Sequence, residues 1–166
     1  YKYYFDKKGF LSQDVRGKVS GPYMLRVDRV RNQITVYARD TNGQYNIPVV
    51  AMPCSVGLPA TPTPKGRFTG SRAGRWQILM GPSWGQYATL VDAANGIFIH
   101  SVSGPAANPY SLPANEWNKL GRTAASHGCI RVAVIDAKWI YEHCNGSTIE
   151  VQDYSNAGPF DRKTYT

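Results

Sequence analysis

Hydrophobic positions in this chain fall in short runs separated by turns rich in glycine and proline. Residues 34–38 show the pattern clearly, because Ile34, Val36 and Ala38 alternate with more polar neighbours. A period of two is typical of a β-strand whose two faces meet different surroundings. The pattern predicts strands at 24–28, 34–38, 45–56, 68–71, 76–80, 87–91, 97–100 and 148–151.

Turn residues refine this prediction. Asn42 and Gly43 tolerate positive φ, so residues 40–43 are predicted to form a turn. Pro48 and Pro53 interrupt the third strand, and a proline lacks the N–H that a sheet needs. We therefore expect this strand to lie at a sheet edge or to contain a bulge. A loop rich in proline and threonine follows at 57–66.

One segment has helical rather than strand periodicity. Ala137, Ile140, Tyr141 and Cys144 are spaced i, i+3, i+4 and i+7, which places four apolar side chains on one helix face. The predicted helix covers about 136–145 and ends at Asn145-Gly146, a C-cap signal. A shorter helix is predicted at 114–120, inside an otherwise irregular stretch at 103–125.

These elements predict a mainly β, mixed sandwich-like fold with one principal helix packed across it. The domain is expected at 20–152, after the boundary residues Ser20-Gly21-Pro22, with a loose tail at 153–166. Residues 1–19 are aromatic and basic. They resemble the end of a hairpin repeat from a wall-binding module, and a disordered or docked arm is the equal alternative.

The chain has 166 residues and a net charge of +8. Such a charge suits a polyanion, although excess lysine and arginine can also serve only to solvate a surface. The basic residues are scattered and match no helix-turn-helix, zinc-finger or RNP pattern, so nucleic acid is not an expected partner. No apolar run approaches the roughly 18 residues of a membrane span. Because the chain begins at Tyr1 without a signal-peptide pattern, we expect a fragment or mature form.

The candidate chemistry lies in Ser126-His127-Gly128-Cys129-Ile130-Arg131. A cysteine attacks a carbonyl as its thiolate, and a nearby imidazole can take the thiol proton. Gly128 lets the backbone approach a substrate, so the N–H groups of Gly128 and Cys129 are expected to be free for an oxyanion. Arg131 adds a fixed cation. By itself, a cysteine beside a histidine is often accidental.

A second histidine, His100, ends the apolar run at 97–100, where a strand terminus would hold a catalytic base rigidly. The alternative is a hydrogen-bonded core histidine. His143 is interpreted as a surface residue near a helix C-terminus. Cys54 and Cys144 are interpreted as inert buried thiols, although one disulfide plus a free thiol stays open. No metal site is predicted. A zinc site built from His100, His127 and Cys129 would lack a fourth ligand.

Three segments together resemble the YkuD-like L,D-transpeptidase catalytic domain over roughly 21–152. Residues 126–131 resemble the nucleophile motif of that family, and Ile99-His100-Ser101 resembles its upstream histidine. The segment 55–66, with Ser55-Val56-Gly57 and the Thr-Pro repeat, is similar to its Ser-x-Gly and Thr-Pro-x-Gly loop. The pair of strands that opens the domain also looks like the start of that family's fold.

The resemblance implies a role for each matching residue. Cys129 would attack the acyl carbonyl of a donor tetrapeptide stem, and His100 would take its proton while the Ser101 carbonyl fixes the tautomer. His127 would help to bind the acyl group. The Gly128 and Cys129 amides would form the oxyanion hole, and Arg131 would hold the substrate or a loop. The thioester would pass to an acceptor amine, giving a 3-3 cross-link, or to water.

The resemblance also implies an enzyme without cofactor that acts on peptidoglycan outside the cytoplasm, as a secreted or wall-associated protein. Carbapenems would acylate its cysteine, and anionic wall polymers are a further expected partner. The 25 residues between His100 and Ser126 exceed the usual spacing, so a lid or acceptor groove is expected there. Trp84, Tyr87 and Trp117 are predicted to line a substrate groove. The alternatives are a wall cysteine peptidase and a non-catalytic wall-binding module.

Overall fold

Short strands dominate the protein, as the period-two pattern predicts. The computed structural model describes residues 1–165, and nine of the strands there join in one sheet while two form a separate hairpin. The mainly β fold class is confirmed. The strands are β1 Tyr23–Asp28, β2 Gln33–Ala38, β3 Ile47–Ser55, β4 Gly66–Thr69, β5 Ser71–Arg72, β6 Trp76–Leu79, β7 Ser83–Gln86, β8 Thr89–Asp92, β9 Ile97–Ser101, β10 Ile130–Val132 and β11 Thr148–Gln152.

The main helix is α2, Val134–His143, and a single helical turn, α1, covers Ala114–Trp117. Both helices were predicted. The prediction started α2 two residues too late, and it ended α1 three residues too late. The apolar stripe of α2 is confirmed in the core, because Ala137 and Ile140 are fully buried there. α2 packs against β7, β8 and β9. No helix in the described part of the chain has the length and apolar character of a membrane span.

The large sheet has the order β4-β11-β1-β2-β3-β10-β9-β8-β5 and mixes parallel with antiparallel pairs. Its two edge strands, β4 and β5, are separated in the chain by Gly70 alone. The two ends of the sheet therefore meet, which closes it into a barrel-like shape. Gly70 fastens this closure, because its N–H donates to the Ser147 carbonyl and its own carbonyl accepts from Gly146. Such closure protects edge strands from further pairing.

Two strand predictions need correction. β3 lies between β2 and β10, so Pro48 and Pro53 do not mark an edge; the predicted bulge is present, because the β2–β3 register shifts next to Tyr37, opposite Pro48. The predicted strand at 87–91 starts too early, because Tyr87 has φ +50 and separates β7 from β8. β10 was not predicted as a strand. Its three residues are too few to show a period.

The N-terminal arm and the C-terminal tail both pack on the domain. Val15 is fully buried, and Asp14 pairs with Val50 of β3. In the tail, Phe160 is buried and the Lys163 N–H donates to the Ala51 carbonyl. The expectation of a loose tail is therefore wrong for the residues described. Whether the arm belongs to a wall-binding repeat stays a prediction.

A buried ionic cluster joins the arm and the tail to the start of α2. Asp136 is fully buried, and Arg16 contacts it at 2.7 Å while Tyr165 Oη donates to it at 2.8 Å. Arg16 also binds Asp14 at 2.7 Å. Desolvation raises the pKa of Asp136. Burial of the Asp136 carboxylate is tolerated because the Arg16 guanidinium lies beside it. The first and last segments are thus structural parts of the domain.

Candidate active site

The cysteine and the histidine of the two motifs reach one place through neighbouring parallel strands. β10 pairs with β9 so that Arg131 lies opposite His100 and Ile130 lies opposite Ile99. Ile130 and Ile99 are fully buried in the core. Since side chains alternate along a strand, Arg131, His100 and Cys129 project from the other face. Cys129 and His100 both line a cavity of about 480 Å³ on this face.

The Cys129 sulfur is held by backbone groups. The Phe98 N–H lies 3.5 Å from Sγ, and Sγ lies 3.8 Å from the Gly96 carbonyl oxygen. The pKa of the thiol is raised, chiefly because burial disfavours the thiolate; the Phe98 N–H and the Arg131 charge act in the opposite direction. Among the described residues, the sulfur's hydrogen bonds involve only these two backbone groups, and none joins it to His100.

His100 is almost completely buried, with 1% of its surface exposed. Its Nδ1 lies against the Ser101 carbonyl, and a carbonyl oxygen can only accept. Nδ1 therefore carries the hydrogen, and Nε2 is left as the basic nitrogen, as the family resemblance implies. Burial lowers the pKa of His100 to about 4, an effect that the nearby Arg131 charge reinforces. The ring is neutral at neutral pH.

Gly85 of β7 packs directly against this ring. A Cβ at position 85 would lie 2.6 Å from Nδ1 and 2.9 Å from Cγ of His100, distances that no side chain tolerates. The next residue, Gln86, holds Ser101 in place, because the Gln86 N–H donates to the Ser101 hydroxyl at 2.8 Å. The hairpin β6–β7 thus holds both His100 and the carbonyl that sets its tautomer.

The resting site is a neutral pair. A thiol with a raised pKa that shares a cavity with an imidazole of lowered pKa keeps its proton, because both charged forms are desolvated. In this resting state neither Cys129 nor His100 carries a charge at neutral pH. This differs from the preformed thiolate–imidazolium pair of some cysteine enzymes.

The loop before Cys129 is fastened by the Thr-Pro loop. The Thr63 hydroxyl donates to the Gly128 carbonyl at 2.7 Å and accepts from the Gly57 N–H at 2.9 Å. The Leu58 N–H donates to the Ser126 carbonyl. These bonds explain why the segment 55–66 accompanies the nucleophile motif, because it fixes the backbone that carries Cys129.

The oxyanion prediction needs a correction at Gly128. Its N–H donates to the Ser126 hydroxyl at 3.1 Å, and that hydroxyl in turn donates to the Cys129 carbonyl. The Gly128 amide is therefore occupied rather than free. Gly128 has φ +129 and packs on Ile97, where a Cβ would lie 2.9 Å from Cδ1, so the position does require glycine.

Arg131 connects the site to the irregular segment after β9. Its Nη1 donates to Glu116 of α1 at 2.7 Å, and Lys119 contacts the same carboxylate at 2.7 Å. The Arg131 side chain is mostly buried, and its Nε is buried without a partner in the described residues. Sequence reasoning singled out Arg131 but missed Glu116, because the contact joins two separate elements, α1 and β10.

His127 lines the cavity and is exposed. The predicted groove residues, however, do not line this cavity. Its apolar wall comes instead from the β6–β7 hairpin, where Ile78, Leu79 and Met80 line it, and from Phe98. Sequence analysis missed these residues because an exposed apolar side chain on a hairpin has no distinctive local pattern.

The three aromatic residues have other surroundings. Tyr87 packs against Tyr141 of α2 at 5.5 Å, with Arg75 stacked on its ring at 3.9 Å. Trp117 lines a second cavity beside the C-terminal tail. The Trp84 backbone pairs with Gly104, which fastens the start of the irregular segment to β7. As a group, these residues do not form the predicted substrate groove.

The two other cysteines are buried free thiols, as predicted. Burial raises the pKa of Cys144 to about 12 and also raises that of Cys54. Both thiols stay protonated and out of reach. Within residues 1–165, no three His, Cys, Asp or Glu side chains cluster as metal ligands would, so the geometry gives no support to the alternative zinc site.

Proteins with similar sequences identify the family to which the two motifs belong. The family model YkuD, the L,D-transpeptidase catalytic domain, matches residues 22–152. Putative L,D-transpeptidase YciB of Bacillus subtilis is 38% identical over 57% of this chain and 50% of its own length. L,D-transpeptidase 2 of Mycobacterium tuberculosis is 32% identical over 62% of this chain and 26% of its own length. The chain spans a quarter to a half of these relatives.

Solved structures show the same fold. An L,D-transpeptidase from Mycobacterium smegmatis superposes with a TM-score of 0.61 at 24% identity, covering 78% of this chain and 58% of that one. An L,D-transpeptidase from Mycobacterium tuberculosis gives a TM-score of 0.57 at 26% identity, over 78% of this chain and 57% of its own. Because the family model covers most of the sequence and both motifs meet in one cavity, the chain belongs to the YkuD family of L,D-transpeptidase catalytic domains.

Proposed function

We propose that this protein is a cysteine-dependent peptidoglycan L,D-transpeptidase that forms 3-3 cross-links through a thioester on Cys129. The observation that carries the proposal is the arrangement of Cys129 and His100 on one face of paired strands, inside one cavity. The neutral imidazole with its free Nε2 is suited to act as the base. The substrate assignment comes from the family.

The first half-reaction forms the thioester. As Sγ attacks the carbonyl carbon that follows the L-centre of the donor stem, the thiol proton passes to Nε2 of His100. The carbonyl oxygen becomes an oxyanion, for which the Cys129 N–H is the proposed donor. The Gly128 N–H can join it only after releasing the Ser126 hydroxyl. Collapse of the intermediate breaks the amide bond, and the leaving amine of the D-residue takes the proton from His100.

The second half-reaction transfers the acyl group. An acceptor amine loses a proton to His100 and attacks the thioester carbonyl, and the thiolate leaves and regains that proton. Water in place of the amine would give L,D-carboxypeptidase activity. The apolar wall formed by Ile78, Leu79 and Met80 suits exclusion of water from the acyl-enzyme, which favours transfer over hydrolysis.

Carbapenem reactivity follows from the same nucleophile. A β-lactam presents a strained acyl carbonyl that a thiolate can open, with the ring nitrogen as the leaving group. One structure with this fold, LdtMt1, is in complex with imipenem, and L,D-transpeptidase 3 from Mycobacterium tuberculosis is in complex with a faropenem-derived adduct. We propose imipenem as a covalent inhibitor here, with Cys129 as its site.

The proposed place of action is outside the cytoplasm, where peptidoglycan lies. The support is the family resemblance alone. The net charge of +8 is consistent with contact to acidic wall polymers.

Intact-protein mass spectrometry tests the proposal directly. The chain is incubated with a tetrapeptide stem and, separately, with imipenem. We expect one added acyl group in each case, and peptide mapping should place it on Cys129. Cys129→Ala should remain unmodified and should abolish turnover of the stem, because no other exposed thiol can replace the nucleophile.

The buried thiols provide the matched control. Cys144→Ala should retain acylation by both reagents, because that thiol lies in the core with its proton held. An unmodified Cys129 with both reagents in the folded protein would contradict the proposal and favour a non-catalytic wall-binding module. Acylation by a stem cleaved at a different peptide bond would favour a wall cysteine peptidase instead.

A further inference from the structure

A second and larger cavity lies away from Cys129. Its volume is about 710 Å³, and it is enclosed by the turn after β1, by the segment 117–122 and by the tail at 157–165. A cavity of this size holds a ligand of several heavy-atom rings, since small-molecule sites span roughly 300–1,000 Å³. Neither Cys129 nor His100 lines it, so the proposed acyl transfer does not use it.

The cavity is rich in guanidinium groups. Arg31, Arg122 and Arg162 all line it, together with Lys163 and a single carboxylate, Asp161. Arg31 is already paired with Asp28 at 2.8 Å, and Lys163 with Asp14 at 3.1 Å. In residues 1–165, by contrast, no carboxylate lies within ion-pair distance of Arg122 or Arg162. These two cations are the ones available to a ligand.

Backbone contacts hold Arg162 in place. Its Nη1 donates to the carbonyl of Arg31 and to the carbonyl of Gly121, the residue before Arg122. One guanidinium therefore links the backbone at Arg31 to the backbone next to Arg122. Arg162 uses Nη1 for these contacts, which leaves its other N–H groups for an acceptor.

Aromatic rings form another part of the lining. Trp117 and Tyr165 both line the cavity, with their ring centroids 6.4 Å apart. Both side chains are half-buried, so parts of the rings remain open to a ligand. Aromatic faces pack against the C–H groups of a sugar ring, while planar guanidinium groups bind carboxylate or phosphate oxygens in a fork. Gln33 adds a buried amide to the lining.

We propose that this second cavity binds an acidic saccharide, a sugar chain whose rings carry carboxylate or phosphate groups. Trp117 and Tyr165 contact the ring, and Arg122 and Arg162 bind the acidic group. Such a ligand would hold the domain on an anionic glycan surface while Cys129 stays free for its own substrate. The site does not depend on acyl transfer at Cys129.

Equilibrium binding of defined oligomers tests the site. The chain carrying Cys129→Ala is titrated calorimetrically with a tetramer of glucuronic acid, an oligo(glycerol phosphate), a neutral glucose tetramer and inorganic phosphate. The proposal expects the glucuronic acid tetramer to bind, with an affinity that falls as salt rises. The neutral tetramer and inorganic phosphate should bind much more weakly, because each offers only one of the two contacts.

A pair of charge-matched variants locates the binding. Arg122→Gln should weaken binding of the glucuronic acid tetramer by about tenfold, the loss of one charge-assisted contact. Arg67→Gln removes the same charge from the exposed side chain of β4 and should change the affinity by less than about twofold. Trp117→Leu should weaken binding of the glucuronic acid tetramer while leaving folding, measured by circular dichroism, intact.

Three results would overturn the inference. These are equal losses in Arg122→Gln and Arg67→Gln, equally tight binding of the neutral tetramer, and no binding by any oligomer. Tight binding of oligo(glycerol phosphate) without the glucuronic acid tetramer would also overturn it, because a phosphodiester chain without rings would then suffice. Because the titration uses Cys129→Ala, failure of this site and failure of the proposed acyl transfer are observed separately.

Discussion

The two cavities of this domain differ in whether their charged side chains have partners of opposite charge. Around Cys129 the charged groups are paired, because Glu116 binds both Arg131 and Lys119, and the imidazole is kept neutral. Beside the tail, Arg122 and Arg162 have no carboxylate partner among the described residues. The segment 102–125 lies between the two, since Ser103 lines the first cavity and Trp117 lines the second.

The difference indicates what each cavity can do. A mainly apolar site with neutral reactants stabilises charge only where the reaction creates it, which is what acyl transfer requires. A cationic site binds an anion that is already charged, and its affinity depends on salt. Variants that change one cavity and spare the other therefore test whether the two are independent.

The largest effect on turnover is expected from loss of His100, the proposed base. His100→Asn keeps a group that can donate to the Ser101 carbonyl but removes Nε2, so kcat/KM for the stem should fall by about 10²–10⁴-fold. The measurement is steady-state turnover of the tetrapeptide. Binding of the glucuronic acid tetramer in the second cavity should be unchanged. Near-normal turnover by this variant would exclude His100 as the base.

A smaller loss is expected from the residue that packs on the base. In Gly85→Ala the new Cβ would overlap the His100 ring, so the ring must turn away from the Ser101 carbonyl. We expect kcat/KM to fall by at least about tenfold and the free energy of unfolding by about 1–3 kcal/mol. Turnover assays and urea denaturation measure the two. Full activity in this variant would show that the β6–β7 hairpin does not position His100.

Buried neutral His100 should also make stability depend on pH. Its pKa is about 4 in the folded chain, against about 6.5 when unfolded, so only the unfolded chain takes up a proton in between. The free energy of unfolding should therefore fall as the pH falls from about 6.5 to about 4, by up to about 3 kcal/mol. Urea denaturation across this range measures it. His100→Asn should lose less stability over that range, and an equal loss would contradict the buried neutral ring.

The smallest effect concerns the ion pair in the segment that separates the cavities. Glu116→Gln leaves the Arg131 charge uncompensated, and that charge lowers the pKa of Cys129. More thiolate should form at neutral pH, so alkylation of Cys129 by iodoacetamide should be about threefold faster. Glu150→Gln removes a β11 carboxylate that is paired with Arg67 of β4, and it should leave the rate unchanged. Slower alkylation in Glu116→Gln would show that Glu116 acts mainly by holding Arg131 in place.

Local sequence determined much of this protein. The period of apolar residues reflects which face of an element meets the core. It therefore predicted the helix α2 and the strands β1, β2, β9 and β11. The proposed nucleophile, Cys129, and the proposed base, His100, were singled out because each lies in a contiguous motif. The family assignment from these motifs is confirmed.

Tertiary structure alone decided which residues meet. The parallel pairing of β10 with β9 brings Cys129 and His100 together, and strand partners distant in the chain leave no local signal. The same holds for the hairpin that supplies Ile78 to the cavity and for the Gly128 amide, which is taken by Ser126. Propensity and period describe one segment at a time, whereas burial, pKa and hydrogen-bond partners depend on what the fold packs against it.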